Sequence, residues 1–207
     1  MKKIFIILLS IIITSCNFSF TTEKTIPEAV MKLSQFKVLN NKAYLSISEL
    51  SMDISNSLWK EFLILESKGI KDVVIHLNTP GGNVVAALPI IDALERARDK
   101  GFNITIIGRG AIMSAGIVIY VIGNTRISSK RTTFMIHGVR IIDNYGNRRP
   151  DIEEKMKDSI NMANKICSDI LRNYTKLTEE QIKEFIKGEK WFNADKAKEW
   201  GLVDIIE

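Results

Sequence analysis

The sequence has few of the residues that build metal centres and disulfide frameworks. Its 207 residues include two cysteines, Cys16 and Cys167, and two histidines, His76 and His137. The spacing of these four residues matches no metal-ligand pattern. Cys167 lies within an amphipathic helical pattern, which favours a buried small hydrophobe over one half of a disulfide. The sequence therefore offers no reason to expect a metal or an organic cofactor.

The charge pattern argues against nucleic acid as a partner. The formal net charge is +5, but no block of basic residues is interleaved with aromatic residues, so the sequence does not imply a nucleic-acid partner. Hydrophobic residues make up 45% of the chain and charged residues 26%, which is ordinary for a globular protein. The length is sufficient for one domain with a hydrophobic core.

The N-terminus, MKKIFIILLSIIITSC, has two lysines, an apolar run from Ile4 to Ile13 and small residues before Cys16. A permanent membrane span needs ~20 apolar residues, so this shorter run is typical of a secretory signal peptide. Its ending resembles a bacterial lipobox, in which the cysteine is lipidated and begins the mature protein. The alternative is a plain signal or an uncleaved anchor with an incidental cysteine. We expect a signal peptide over 1–16, a polar tether over 17–37 and one domain over 38–207.

Short apolar runs alternate with helical patterns from about Val38 onward. Strands are predicted at KAYLSI, DVVIHL, NITIIG, TRISS and TTFMIHG. Helices are predicted over 51–68, 83–100, the apolar segment after Ser114, 151 to about 175, 178–187 and NADKAKEWG. Alternating strands and helices predict an α/β fold with a mostly parallel sheet and crossover helices.

The turn NTPGG, residues 78–82, follows a predicted buried strand and precedes a helix. Two consecutive glycines allow unusual backbone angles and can turn N–H groups outward. Such groups beside a helix N-terminus would suit a developing oxyanion. A simple tight turn is the alternative interpretation.

Ser114 lies at the head of an almost entirely apolar run, in GRGAIMSAGIVIYVIG. It is either a helix N-cap or a nucleophile at a helix N-terminus. A serine nucleophile needs a base, and only two histidines are available. His76 falls inside the VVIHL strand, where a structural role is expected, whereas His137 ends its strand just before a glycine and can face a cleft.

Four motifs occur in one order: Pro-Gly-Gly, a serine heading an apolar helix, Met-Ile-His, and the tail WFNADKAKEWGLVDII. Their order and spacing resemble the proteolytic subunit family of the Clp protease, from about Val38 to Ile206. The resemblance implies an α/β, ClpP/crotonase-like spiral of repeated ββα units. The long helix from Asp151 is similar to the protruding handle helix of that family.

The resemblance implies roles for individual residues. Ser114 would be the nucleophile and His137 the general base. The oxyanion hole would consist of backbone N–H groups of Gly81, Gly82 and Ala115. The segment Met113–Gly116 departs from the usual Ala-Ser-Met-Gly and is closer to the signal peptide peptidase A group, which often pairs serine with lysine. Met-Ile-His argues for a serine–histidine arrangement instead.

The acid of the expected triad departs from the family pattern. The family has an aspartate a few residues before the Ala-x-x-Ala helix, and counting back from Ala194 places Glu189 there. A glutamate can still accept an imidazole N–H and stabilise imidazolium. A solvated loop carboxylate is the alternative for Glu189, and Asp195 is the second candidate for the acid.

These observations predict a serine endopeptidase that cleaves peptides or unfolded protein segments. The resemblance also implies a homo-oligomer, as a heptameric ring or double ring. The lipobox predicts an exported, membrane-anchored lipoprotein attached through Cys16, and a Clp-type ATPase partner only if the domain is cytoplasmic. Two alternatives remain open: a crotonase-type acyl-CoA enzyme, and an inactive scaffold with a Clp-like fold.

Overall fold

The computed structural model describes residues 33–142 and 147–207. The predicted signal peptide, the lipidation site Cys16 and the tether up to residue 32 lie outside the described residues, so these remain predictions. Within the two described ranges, none of the helices has both the length and the apolar character that crossing a membrane would require.

The described residues form eight strands and seven helices. The strands are β1 Lys37–Leu39, β2 Lys42–Ile47, β3 Asp72–Thr79, β4 Asn103–Met113, β5 Thr125–Ser128, β6 Thr133–His137, β7 Glu189–Asn193 and β8 Ile205–Ile206. The helices are α1 Met52–Ser67, α2 Val84–Asp99, α3 Ala115–Tyr120, α4 Pro150–Lys155, α5 Lys157–Tyr174, α6 Glu179–Lys187 and α7 Ala194–Glu199.

The sheet runs in the order β1-β2-β3-β4-β5-β8, and all pairs except β1–β2 along this path are parallel. Strand β4 changes partner along its length. Residues 105–108 pair with β5, and residues 111–113 pair in parallel with β6. Gly110 lies between the two pairings with φ of +81°, a conformation that glycine adopts without steric cost. The change of partner brings the end of β4 beside β6.

The hydrophobic core joins buried residues of the strands with those of α1, α2 and α3 and with smaller contributions from α5, α6 and α7. All six residues of α3 are buried, as expected for a helix that is apolar on every side. Helices α1 and α2 begin after the N-caps Ser51 and Asn83, whose side chains accept backbone N–H groups of the first turns. The predicted α/β class with a mostly parallel sheet is confirmed.

Two predicted features differ from the structure. The helix expected from Asp151 to about Thr175 is two helices, α4 and α5, separated at Met156 with φ of −104° and ψ of 16°. The surrounding sequence has no proline or glycine that would mark this break. The alternative of a loop carboxylate for Glu189 also differs, because Glu189 begins β7, which pairs antiparallel with β6.

The Glu61 carboxylate anchors the start of the described domain. It is 2% exposed and accepts the backbone N–H groups of Ser34, Gln35 and Phe36, each at 2.8 Å, and the Ser34 hydroxyl at 2.6 Å. This contact holds Phe36 in the core against Phe62, with ring centroids 5.4 Å apart.

Glu61→Ala is expected to lower the free energy of unfolding by about 3 kcal/mol, because a removed charged acceptor leaves buried donors unsatisfied. Chymotrypsin should then cut after Phe36, which the native contact buries. Urea denaturation and limited proteolysis measure both effects. Glu49→Ala, at an exposed glutamate, is the control. Equal protection of the two variants would contradict the anchoring role.

Candidate active site

Ser114 joins the end of β4 to the start of α3 in a strained backbone conformation. Its φ is 52° and its ψ is −125°, angles that favour glycine at the first central position of a type II′ turn. The Ser114 N–H donates to the Met135 carbonyl of β6 at 2.8 Å. Ser114 holds the N-cap position of α3, but its side chain makes no capping hydrogen bond. The capping alternative for this serine is therefore wrong, and its hydroxyl is not engaged by the helix.

The NTPGG turn lies directly against Ser114. Gly81 has φ of +96°, and a Cβ added there would lie 2.7 Å from both the Met113 carbonyl oxygen and the Ser114 Cβ. The Gly81 N–H donates to Thr79 Oγ1 at 3.2 Å. Within ranges 33–142 and 147–207, no acceptor is found for the N–H groups of Gly82 and Ala115. Of the three predicted oxyanion donors, these two are available to a ligand.

His137 ends β6 and makes one short contact with its own backbone neighbour. The imidazole Nδ1 lies 2.5 Å from the Gly138 carbonyl oxygen. A carbonyl oxygen can only accept, so Nδ1 carries the proton in this arrangement. In a neutral imidazole with this proton, the other ring nitrogen, Nε2, can accept a proton, which is the tautomer that a general base requires.

Glu189 lies directly opposite His137 in the β6–β7 pair. Its Oε1 accepts Trp191 Nε1 at 2.6 Å, and its Oε2 accepts Arg140 Nη1 at 3.2 Å. The Trp191 hydrogen bond first, then the Arg140 guanidinium, hold the pKa of Glu189 below its ordinary value. Glu189 is thus an ionised carboxylate next to His137, with both oxygens bonded to other donors. Asp195 is exposed in the first turn of α7.

Ser114 and His137 open onto one cavity of about 780 Å³, which Gly81, Gly82 and Ala115 also line. Its remaining walls come mainly from apolar side chains of α2, α3, α5 and α6, including Leu88, Ile117, Ile160, Leu171 and Ile186. His76 lines a different cavity of about 220 Å³. The structure therefore brings the predicted nucleophile, base and oxyanion donors together and leaves His76 apart.

Comparison with known proteins shows the family of this chain. The profile of the family described as Clp protease matches residues 28–207. The chain belongs to the Clp protease family. Two of its relatives are proteolytic subunits of ATP-dependent Clp proteases. Subunit 2 from Tropheryma whipplei is 28% identical over 74% of this chain and 83% of its own length. Subunit 1 from Cutibacterium acnes is 30% identical over 74% of this chain and 71% of its own length.

Solved structures of the Clp protease family share the fold. An asparagine-to-aspartate mutant of ClpP1 from Listeria monocytogenes matches with a TM-score of 0.64 and 27% identity, over 79% of this chain and 90% of that one. The unmutated ClpP1 matches with the same TM-score and coverage at 24% identity, which supports the fold alone. The predicted Clp family membership and the Clp-type fold are confirmed, and the Clp protease relatives support a peptidase function.

Three residues at this candidate site were not predicted from the sequence: Arg140, Trp191 and Gly138. Arg140 and Trp191 bind Glu189, and the Gly138 carbonyl meets His137. Trp191 follows Glu189 by two residues on β7, so their side chains share one face of the strand. Had β7 been predicted as a strand, the contact between Glu189 and Trp191 could have been predicted as well. The contact between His137 and the Gly138 carbonyl could not be predicted, because every residue has a backbone carbonyl and no residue type marks this one.

Cys167 lines the cavity from α5 and is a free cysteine. Burial raises the pKa of its thiol to about 11. Because the thiolate is the reactive form, and a free cysteine has a pKa of about 8.5, alkylation near pH 8 should be about 100-fold slower in the folded protein than in urea.

Iodoacetamide labelling of a Cys16→Ser chain measures this difference at Cys167. The folded rate should continue to rise between about pH 9 and pH 11, where the unfolded rate has levelled off. Equal folded and unfolded rates at pH 8 would show that the thiol is solvated.

Proposed function

We propose that this chain is a serine endopeptidase that cleaves peptides or unfolded protein segments. The observation that carries the proposal is the Ser114 hydroxyl, held at positive φ without a capping bond, on a cavity that His137 also lines. Backbone strain of this kind costs about 1–3 kcal/mol and persists at functional sites. Membership of a protease family supports the same reading.

The reaction begins when Ser114 Oγ attacks the scissile carbonyl and His137 Nε2 takes its proton. The N–H groups of Gly82 and Ala115 donate to the oxyanion, and each such donor stabilises the transition state by about 3 kcal/mol. His137 then protonates the leaving amine. Water, activated by the same imidazole, hydrolyses the acyl-enzyme and restores Ser114.

Glu189 is the proposed acid of the triad. Its charge lies opposite His137 across the β6–β7 pair, and the two groups influence each other electrostatically. A carboxylate in this place stabilises the imidazolium that forms when Ser114 loses its proton. The low pKa of Glu189 keeps this charge present at neutral pH.

The assembly and location follow the family resemblance and the N-terminal pattern. We propose a homo-oligomeric ring or double ring, with α4 and α5 as the handle. We also propose export and membrane attachment through a lipidated Cys16, in which case no ATPase partner is needed. The relatives from T. whipplei and C. acnes are ATP-dependent by name, and such a partner would apply here only to a cytoplasmic form.

Fluorophosphonate labelling of the assembled protein tests the proposed chemistry. The wild-type chain should be labelled at Ser114. His137→Ala should reduce the labelling rate about 10³-fold or more, because the general base is lost, and Glu189→Gln should reduce it less. His76→Ala, at the histidine outside the site, should label like the wild type. No labelling of an intact assembly would overturn the peptidase proposal and favour an acyl-CoA enzyme or a scaffold.

A further inference from the structure

The peptide unit between Gly138 and Val139 connects His137 to the helix α5. At one end, the Gly138 carbonyl oxygen lies 2.5 Å from His137 Nδ1. At the other end, the Val139 N–H donates to the side-chain Oδ1 of Asn164 at 2.8 Å. A peptide unit is planar, so a hydrogen bond that fixes its N–H also fixes the direction of its carbonyl.

The Gly138 carbonyl takes the place at Nδ1 that a triad carboxylate would otherwise hold. Both oxygens of Glu189 are occupied, one by Trp191 Nε1 and one by Arg140 Nη1. Arg140 also donates to the carbonyl of Gly188, the residue just before β7, at 3.1 Å. The orientation of the imidazole ring therefore depends on the Gly138–Val139 peptide.

Close packing leaves this peptide little freedom. A Cβ added to Gly138 would lie 2.5 Å from the Ile186 carbonyl oxygen and 3.3 Å from Asn164 Oδ1. The loop after β6 is thus held between α5 and α6. From α5, the Asn164 side chain accepts a hydrogen bond from the backbone N–H of Val139 in this loop. Asn164 also lines the same cavity as Ser114.

We propose that Asn164 is a positioning residue for His137 and acts through the Gly138–Val139 peptide. It fixes the carbonyl that selects the Nδ1–H tautomer, so that Nε2 is free to take the proton of Ser114. The proposal rests on the proposed serine peptidase function. Glu189 contributes charge in this arrangement, and Asn164 contributes the orientation of the ring.

The test combines a spectroscopic and a kinetic measurement on the full chain. With His76 replaced by glutamine, a ¹⁵N-histidine-labelled protein carries one imidazole. Its ¹⁵N shifts at about pH 8.5, where a free imidazole is neutral, report the tautomer of His137. Fluorophosphonate labelling rates and the kcat and KM for a peptide ester are measured on the same variants.

Wild-type His137 should show the Nδ1–H tautomer. Asn164→Leu removes the acceptor and should lose this preference. Its labelling rate and kcat should fall about tenfold or more with KM little changed, as expected for a misoriented catalytic group. Asn164→Asp keeps the acceptor and should retain the tautomer and most of the rate. Asn173→Leu, at an exposed asparagine near the end of the same helix, is the matched control.

An Nε2–H tautomer in the wild type would overturn the proposal without any variant. A wild-type labelling rate and tautomer in Asn164→Leu would also overturn it, and Asn164→Ala replaces the leucine variant if that one does not fold. A wild type with the Nδ1–H tautomer that Asn164→Leu abolishes, but without fluorophosphonate labelling, would support the role of Asn164 and refute the peptidase function instead.

Discussion

Ser114→Gly is expected to abolish peptidase activity and to make the folded protein more stable. Removal of a serine nucleophile lowers kcat by about 10⁵-fold or more in comparable triads. The gain in stability comes from the backbone, because Ser114 has φ of 52° and ψ of −125° and glycine adopts these angles without strain. Relief of about 1–3 kcal/mol of strain outweighs the extra entropy of glycine in the unfolded chain, about 0.5–1 kcal/mol.

The net increase in the free energy of unfolding should be about 1 kcal/mol, or a rise of about 2–4 °C in Tm for a domain of this size. Ser114→Ala is the matched variant: it is equally inactive, but its Cβ keeps the strain, so it should not gain stability. Urea denaturation and fluorophosphonate labelling of both variants provide the measurement. If the glycine variant is no more stable than the alanine variant, the strain is not stored at this residue.

Features set by residues close together in the chain could be predicted from the sequence, and features set by contacts between distant residues could not. Ser114, the NTPGG turn and His137 belong to short motifs at strand and helix ends, so their elements and order could be predicted. The buried character of α3 also followed from its composition alone. These features depend on neighbours in the chain, which a sequence displays directly.

The surroundings of Glu189 depend instead on the pairing of β6 with a five-residue strand near the C-terminus. Its contacts with Arg140, 49 residues earlier in the chain, and with Trp191 arise only once that pairing exists. The hydrogen bond from Val139 to Asn164 likewise spans 25 residues and forms only once α5 lies beside the loop after β6. The sequence analysis assigned no strand to the short segment EKWFN, so the contacts of Glu189, the predicted acid, with these partners were missed.

Gly81→Ala is expected to damage both the fold and the reaction. The added Cβ would lie 2.7 Å from the Met113 carbonyl oxygen and 2.7 Å from the Ser114 Cβ, and φ of +96° is unfavourable for any residue with a Cβ. Neither contact is with the end of a flexible side chain, so the turn or Ser114 must move. Strain and overpacking together should cost about 2–5 kcal/mol of the free energy of unfolding.

The same displacement moves the nucleophile relative to the N–H groups of Gly82 and Ala115, and a shift of about 1 Å at such a site reduces the rate about 100-fold. Gly101→Ala is the control that shows the effect of backbone strain without a steric clash, because Gly101 has φ of +80° but nothing lies within 4 Å of an added Cβ. It should lose about 1 kcal/mol of stability and keep its full labelling rate. The urea denaturation curve of each variant gives its folded fraction, and each labelling rate is divided by that fraction before the variants are compared. A Gly81→Ala protein that labels as fast as Gly101→Ala would show that the glycine turn does not support Ser114, and the oxyanion donors would have to be sought elsewhere in the cavity.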